Sequence, residues 1–280
     1  MKLLLAVALA SLSVLPTSAQ PGPTSFEDFY KATESAWCGH DLPSALKSLP
    51  ALRLAARGLP ENDRRRVKAL LLEDRVRGST GDAAGAIAAL DEAEAVYRKR
   101  GDGDRRQLAD LLIERAGRQS HANDETGALK TGREALPLLR ALHNDEGEGA
   151  MLAQMGLSAG ALGDHRLARN YFQRALAIFK RLKKPEGVAS VEINLAEDDS
   201  TAGRNVEAEK LYLDAIAVRM KSRGEHDALL SDFIDRYSIF LSSLGPERAA
   251  EAAKWKKLAA GAAPENVNVE KAASYGCSSR

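Results

Sequence analysis

The chain has 280 residues, of which 28% are charged, 44% hydrophobic and only 5% aromatic, and its formal net charge is +1. A nearly neutral chain generates no overall field that would draw it to nucleic acid or anionic lipid, so neither is expected as a partner. Ala, Leu, Arg, Glu, Asp and Lys dominate, whereas β-branched residues are sparse. Because most of these residue types are good helix formers, the composition predicts an all-α protein.

The N-terminus has the layout of a secretory signal peptide. Lys2 precedes an apolar run over residues 3–15, which is followed by Pro16 and by small residues that end at Ala19. The run is too short to cross a bilayer, and small residues are typical of a cleavage site. We therefore predict a signal peptide over residues 1–19, cleavage after Ala19, and a periplasmic or secreted mature protein without a membrane span. A retained N-terminal anchor is the alternative.

Small residues recur along the rest of the chain at intervals of 40 to 42 residues. The six anchors are Ala45, Ala86, Ala128, Ala168, Ala208 and Ala250. Five positions before each anchor stands a corner residue, most often a glycine, which can end a helix in the left-handed conformation. These residues are His40, Gly81, Asn123, Gly163, Gly203 and Gly245, of which the histidine is the poorest fit. Each repeat is therefore predicted to form two antiparallel helices joined by a tight corner.

The fourth repeat carries the clearest pattern. It has a large residue, a Leu-Gly-like pair, and then small, aromatic and small residues on one face of a second helix. These residues are Leu152, Met155, Gly156, Ala168, Phe172 and Ala175. In this pattern the chain resembles the tetratricopeptide repeat family from about residue 26 to residue 260, although its period is longer than the common value of about 34 residues. A generic α-solenoid of another class is the alternative.

The resemblance implies an all-α, right-handed superhelical solenoid of about six antiparallel helix-turn-helix repeats. The predicted repeats are 26–66, 67–108, 109–148, 149–188, 189–230 and 231–261. A linker over residues 20–25 precedes them, and the small, polar and aperiodic sequence over residues 262–280 predicts a flexible C-terminal tail. In the alternative interpretation the tail lies along the solenoid.

The two cysteines, Cys38 and Cys277, stand near opposite ends of the chain. A solenoid separates its ends, and disulfide-bonded Cα atoms must lie within about 7 Å of one another, so the sequence favours two unpaired thiols. Pairing stays open, because Cys277 falls in the predicted tail and an oxidising compartment permits disulfides.

The sequence contains no metal-binding motif and does not support a nucleophilic triad. HExxH and Cys/His clusters are absent, and His121 with Glu125 falls at a predicted corner. The chain is therefore predicted to have no enzyme activity, no metal and no cofactor.

Basic clusters occur at several places, but most lie near the end of a second helix, with acidic residues at the start of the next hairpin. Cations near helix C-termini and anions near N-termini match the helix macrodipole, so a structural role is favoured over nucleic-acid binding. The run from Arg64 to Arg66 is the exception, because it precedes a helix.

In tetratricopeptide proteins the first helices of the hairpins line a concave groove that commonly binds a peptide or a partner helix. The resemblance therefore implies a partner-binding surface on the first, second, fifth and sixth repeats. Its residues are Tyr30, Glu34, Trp37, Arg75, Asn194, Glu197, Asp232 and Asp235. The acidic side chains in the fifth and sixth repeats favour a partner with a basic segment. The alternative is a charged, solvated helix face.

These observations together predict an exported, non-catalytic scaffold that binds a protein or peptide partner in its groove. One alternative is an enzyme of unknown class that uses surface carboxylates and histidines. Another is a self-assembling structural module, for which the expected sign is an exposed apolar cap near Trp255.

Overall fold

A computed structural model describes residues 25–223 and 227–262. The predicted signal peptide lies outside these residues, as do residues 20–24 of the predicted linker and residues 263–280 of the predicted tail. Among the described helices, none is both long enough and apolar enough to cross a membrane.

The described residues form twelve α-helices, two short 3-10 turns and no strand. The helices are α1 (Phe26–Cys38), α2 (Leu42–Arg57), α3 (Arg64–Ser79), α4 (Ala83–Arg100), α5 (Arg105–His121), α6 (Glu125–Ala141), α7 (Asp145–Ala161), α8 (His165–Arg181), α9 (Pro185–Thr201), α10 (Asn205–Arg223), α11 (Ala228–Ser243) and α12 (Ala249–Ala262). The 3-10 turns cover Gly101–Asp104 and Pro246–Arg248. The predicted all-α class is confirmed.

The helices pack as six consecutive hairpins, from α1 with α2 to α11 with α12, and each hairpin packs against the next. First helices of neighbouring hairpins also contact one another, as α5 contacts α7 and α7 contacts α9. A hairpin that buries its remaining apolar surface only against its neighbours builds an extended solenoid. The predicted solenoid of helical hairpins is therefore confirmed.

The corners inside the hairpins adopt the predicted conformation. His40, Gly81, Asn123, Gly163 and Gly203 have φ angles between 59° and 80°, in the left-handed region. A glycine lacks the Cβ that makes this region costly, and asparagine is the next most tolerant residue. His40 adopts it as well, so the poorest fit by sequence still forms the corner.

An aspartate follows four of these corners and caps the second helix. The side chains of Asp41, Asp82, Asp124 and Asp164 each accept a hydrogen bond from the backbone N–H three residues later, at 2.9 to 3.2 Å. Such a cap satisfies one of the N–H groups that a helix start leaves free. The corner and its cap together explain why a Gly-Asp, Asn-Asp or His-Asp pair recurs with the period of the repeat.

The small anchors lie where the two helices of a hairpin cross. Five of them are at most 1% exposed, namely Ala45, Ala86, Ala128, Ala168 and Ala208. The sixth expectation is wrong, because Ala250 is exposed and Ala252 is buried instead. The 3-10 turn over Pro246–Arg248 intervenes after Gly245 and shifts which alanine of the last helix faces the core.

The self-assembly alternative relied on an exposed apolar cap near Trp255. The indole of Trp255 is instead partly buried and packs edge-on against Tyr237, with 5.1 Å between ring centroids. Tyr212 and Phe240 extend this aromatic cluster between the fifth and sixth hairpins. Trp255 therefore contributes to the core of the last hairpin.

Several basic side chains are neutralised by carboxylates of a neighbouring repeat. The guanidinium of Arg181 lies 2.8 Å from Asp145, and the ammonium of Lys184 lies 3.1 Å from Glu146. Arg98 likewise reaches Glu134, 36 residues further along the chain, at 3.3 Å. These contacts support a structural role for the basic clusters at the ends of the second helices.

Cys38 is disulfide-bonded, and the described residues contain no free cysteine. The expectation of an unpaired thiol is therefore wrong for Cys38. That expectation depended on the distance between the ends of a solenoid, which constrains only residues fixed in its helices. Cys277 lies after α12 in the sequence and outside the described residues.

Glu192 in α9 gives a test of the core by pH. Its side chain is 5% exposed, one carboxylate oxygen lies 3.4 Å from Lys180, and the other oxygen has no hydrogen-bond partner. Burial, aided by the charge of Asp214 and opposed by Lys180, raises the pKa of Glu192 above its ordinary value of 4.5. The native state therefore binds more protons than the unfolded state above about pH 4.5, and stability is lost as pH rises through the raised pKa.

Glu192→Gln is expected to remove this cost. The variant should be more stable than the wild type at about pH 7 in urea unfolding, and the gain should shrink to nothing below about pH 4, where both states protonate the carboxyl. Glu207→Gln, at an exposed carboxylate, is the control. A gain of equal size at both pH values would show that ionisation of Glu192 is not the cause.

Candidate functional site

A groove of the N-terminal half lies between the first helices α1, α3 and α5, and we call it the first-helix groove. It has a volume of approximately 550 Å³. Its lining residues are Trp37, Leu71, Asp74, Arg75, Gly78, Ser79, Tyr97, Gln107, Asp110, Leu111, Glu114 and Arg118. Aromatic and aliphatic side chains from three hairpins thus meet a set of charged side chains at one surface.

Trp37 is held in a defined position in this groove. Its indole N–H donates a hydrogen bond to the hydroxyl of Ser79 at 3.0 Å, across one repeat. The Arg75 guanidinium lies over the indole, 5.7 Å from the ring centroid, in a cation–π arrangement. An anchored indole with one face covered by a cation offers a rigid apolar surface at little entropic cost on binding.

The charges beside Trp37 largely compensate one another. Arg118 donates to both carboxylate oxygens of Asp74, at 2.8 and 3.4 Å, and lies 3.0 Å from Glu114. Gly78 makes room for this arrangement, because a Cβ there would overlap the Arg118 guanidinium. Burial still raises the pKa of Asp74, with Arg118 opposing the shift. Asp74 is therefore an internal ion-pair partner for Arg118.

Tyr30 and Glu34 join the same region on α1. The hydroxyl of Tyr30 donates to Glu34 at 3.3 Å, and burial together with the charge of Glu34 raises the pKa of Tyr30. Arg75 is close enough to act on Tyr30 in the opposite sense. The structure thus brings together Tyr30, Glu34, Trp37 and Arg75, the four site residues predicted in the first two repeats.

The predicted residues of the fifth repeat lie elsewhere, at a groove of approximately 330 Å³ between α7, α8 and α9, whereas those of the sixth repeat are not among the lining residues of this groove. Asn194 and Glu197 line this second groove. Glu197 accepts two hydrogen bonds from Arg236, both at 2.6 Å, and Asp232 lies 3.7 Å from the same guanidinium. Asp235 forms no ion pair with the described residues. Arg236 therefore offsets part of the acidic character that the sequence indicated.

The two acids after Glu197 form hydrogen bonds and ion pairs between the hairpins. Asp199 is fully buried and accepts hydrogen bonds from Arg169 at 2.6 Å and from Arg204 at 2.7 and 2.9 Å. Asp198 is also buried, and its carboxylate lies 2.7 Å from the Nδ1 atom of His165. Both acids thus join α8 to α9.

The prediction of site residues missed Tyr97, Gln107, Glu114 and Arg118. Gln107, Glu114 and Arg118 follow one another at spacings of seven and four on α5, which is the spacing of a single helix face. That periodicity was a usable signal, whereas Tyr97 reaches the groove from a second helix. Within the described residues, no three His, Cys, Asp or Glu side chains are grouped so that they could hold a metal ion.

Comparison with known proteins identifies the architecture. Residues 147–221, which reach from α7 into α10, match the family model described as tetratricopeptide repeat. No curated protein sequence matches the chain significantly. Among solved structures, the apo form of RapI is similar at 12% identity, with a TM-score of 0.69 over 82% of each chain.

Two further solved structures have the same type of fold. BtubC (BKLC) from P. vanneervenii matches 85% of this chain and 92% of its own, at 18% identity and a TM-score of 0.61. The Rap conjugation gene regulator of plasmid pLS20, in complex with the Phr* peptide, matches 85% of this chain and 73% of its own, at 14% identity and a TM-score of 0.52. The predicted tetratricopeptide-repeat architecture is therefore confirmed.

Proposed function

We propose that this protein is a non-catalytic scaffold that binds an extended protein or peptide segment in the first-helix groove. The observation that carries the proposal is the anchored Trp37 with Arg75 over its face, beside an apolar floor shared by three hairpins. The tetratricopeptide-like fold supports a protein-binding role, and one structure with this fold holds a peptide. The described residues show no feature that favours the enzyme alternative.

The groove offers anchors of the kind that dominate binding energy. Trp37, Leu71 and Tyr97 are each only partly buried, so a partner can still cover them. Tryptophan, tyrosine and arginine are enriched among residues whose loss weakens an interface most. Trp37 and Arg75 should therefore contribute more to affinity than the charged pairs around them, which already satisfy one another.

A partner with basic side chains fits the remaining charges. Asp110 lies on the exposed side of α5 and forms no ion pair with the described residues. Partial burial of its carboxyl group raises its pKa, and the charge of Arg106 opposes this shift. Asp232 and Asp235 add carboxylates in the sixth hairpin, where Arg236 offsets only part of their charge. The basic segment is therefore proposed to follow the apolar anchors along the first helices.

We further propose that the mature protein works outside the cytoplasm. The basis in the sequence is the signal-peptide layout over residues 1–19. The disulfide-bonded state of Cys38 supports this location, because disulfides form and persist in oxidising compartments. A periplasmic or extracellular protein is thus the expected partner.

Photo-crosslinking in the native envelope tests the proposed groove. A photoreactive phenylalanine at Gln107, an exposed lining position, is expected to trap one specific protein partner. Trp37→Ala should weaken that crosslink and lower affinity for the recovered partner about tenfold or more, because a buried aromatic anchor is lost. The same photoreactive residue at Val206, which is 82% exposed and outside the groove, is the matched control.

Two results would contradict this proposal. One is an equal crosslinking pattern from positions 107 and 206, since the groove would then have no special role. The other is an unchanged affinity of Trp37→Ala for the trapped partner. Circular dichroism of the variant, and Trp37→Phe as a milder change that keeps an aromatic ring, separate loss of binding from loss of folding.

A further inference from the structure

The arginine run at the start of α3 is not explained by the groove described above. Two of its members are neutralised locally: Arg64 lies 3.4 Å from Asp104, and Arg65 donates to both oxygens of Asp63 at 2.6 to 3.1 Å. Arg66 forms no ion pair and no side-chain hydrogen bond with the described residues. A cation at a helix N-terminus is disfavoured by the macrodipole, so this unpaired arginine calls for another explanation.

Arg66 lines a separate surface, formed by α2, α3 and α4, that we call the arginine groove. It consists of two depressions, of approximately 550 and 90 Å³, which share Arg53 and Arg57 in their linings. Its charged lining residues are Arg53, Arg57, Arg66, Arg77, Glu73 and Glu92. The arginine groove has no lining residue in common with the first-helix groove.

The positive charge of the arginine groove is only partly compensated. Arg53 pairs with the buried Glu73 at 3.1 Å and also with Glu92, and Arg77 pairs with Glu73 at 2.7 Å and with Asp82 at 2.6 Å. Arg57 and Arg66 form no ion pair or side-chain hydrogen bond with the described residues. Arg57 lines both depressions and Arg66 lines the smaller one with it, so two guanidinium groups with free donors could meet the same carboxylate-bearing ligand there.

Apolar side chains of α2 line the larger depression together with Arg57. Leu54 is 74% exposed and Leu46 is 37% exposed. Pro50 stands midway between them, and a spacing of four places all three on one face of α2. A single exposed leucine is ordinary, but an exposed apolar stripe next to unpaired cations is a recognisable binding surface.

We propose that the arginine groove docks a segment of a partner protein that carries both carboxylates and apolar side chains. The carboxylates would accept charge-assisted hydrogen bonds from Arg57 and Arg66, and the apolar side chains would cover Leu54. A depression walled by three helices admits side chains of a segment, whereas a flat bilayer surface would leave its floor uncovered. This docking site is additional to the proposed partner site in the first-helix groove and does not depend on it.

Fluorescence anisotropy with defined probes tests the docking site on the full-length mature chain. The first probe is a labelled synthetic peptide of leucine and glutamate, and the second replaces each glutamate by lysine. We expect the Leu/Glu peptide to bind the wild type, and Arg57→Glu with Arg66→Glu to weaken it about tenfold or more. The same variant should bind the Leu/Lys peptide better than the wild type does.

The control variant is Arg133→Glu with Arg174→Glu, which reverses two exposed arginines that form no ion pair with the described residues. It should keep wild-type affinity for the Leu/Glu peptide. Arg57→Gln with Arg66→Gln provides a milder change if the reversal disturbs folding, as judged by circular dichroism. Equal weakening in the control, unchanged affinity in both groove variants, or binding only to phosphatidylglycerol vesicles would overturn the proposal.

Discussion

Removing Arg169 and Arg204 together is expected to destabilise the protein by about 3–5 kcal/mol. Asp199 is fully buried, and these two guanidinium groups are its hydrogen-bond donors. Replacing both by alanine leaves a buried carboxylate without compensation, which is the costly way to break a buried ion pair. Urea unfolding of Arg169→Ala with Arg204→Ala measures the loss.

The matching control is a triple variant, which lacks both arginines and also lacks the carboxylate that they neutralise. Adding Asp199→Ala to the double variant should recover a substantial part of the lost stability, because no unpaired buried charge remains. Arg166→Ala, at an exposed arginine of the same helix, should change stability by less than about 0.5 kcal/mol. If the triple variant were no more stable than the double variant, the unpaired charge of Asp199 would not be the cause of the loss.

Phe172→Ala is expected to cost about 3–5 kcal/mol, because it empties the centre of the best-formed repeat. Phe172 is 1% exposed, and its ring lies so close to Gly156 that a Cβ there would stand 2.6 Å from the ring. The glycine and the aromatic ring therefore form one packing unit between α7 and α8. Thermal or urea unfolding measures the effect, with Val206→Ala as an exposed control.

Combining a change at Gly156 with a change at Phe172 tests whether the two residues are in close contact. Gly156→Ala alone should destabilise by about 1–3 kcal/mol through overpacking, despite the better helix propensity of alanine. Phe172→Leu should make that added methyl group less costly, so the two changes together should lose less than the sum of their separate losses. Simple additivity would contradict the close contact between Gly156 and the ring.

The features of the fold that the sequence predicted are local ones. A corner such as Gly163 needs a left-handed backbone, and an anchor such as Ala168 must be small where helices cross, so both leave a mark at a fixed position in each repeat. The prediction failed at Ala250, because a 3-10 turn inserted after the corner changed the register of α12. That turn has no counterpart in the other hairpins to reveal it.

Only some residues of the candidate site could be predicted from the sequence. Trp37 and Arg75 could be named because they lie on the inner face of first helices. The partners of the charged residues were missed, because Arg118 meets Asp74 and Arg236 meets Glu197 across 44 and 39 residues of sequence. Both separations are close to one repeat, so comparing opposite charges one repeat apart would have found them. Side-chain pairing of this kind is set by stacking of hairpins and not by local periodicity.

The most direct test of the first-helix groove as the partner site is selection of binding peptides from a random display library on the mature protein. We predict a class of selected peptides that combine apolar and basic residues and that lose about tenfold or more of their affinity when Trp37 is replaced by alanine. Their affinity should be unaffected by reversal of Arg57 and Arg66, which line the other groove. Recovery of no peptides of this class, or of basic and apolar peptides that bind the Trp37→Ala variant as tightly as the wild type, would contradict the assignment of the first-helix groove as the partner site.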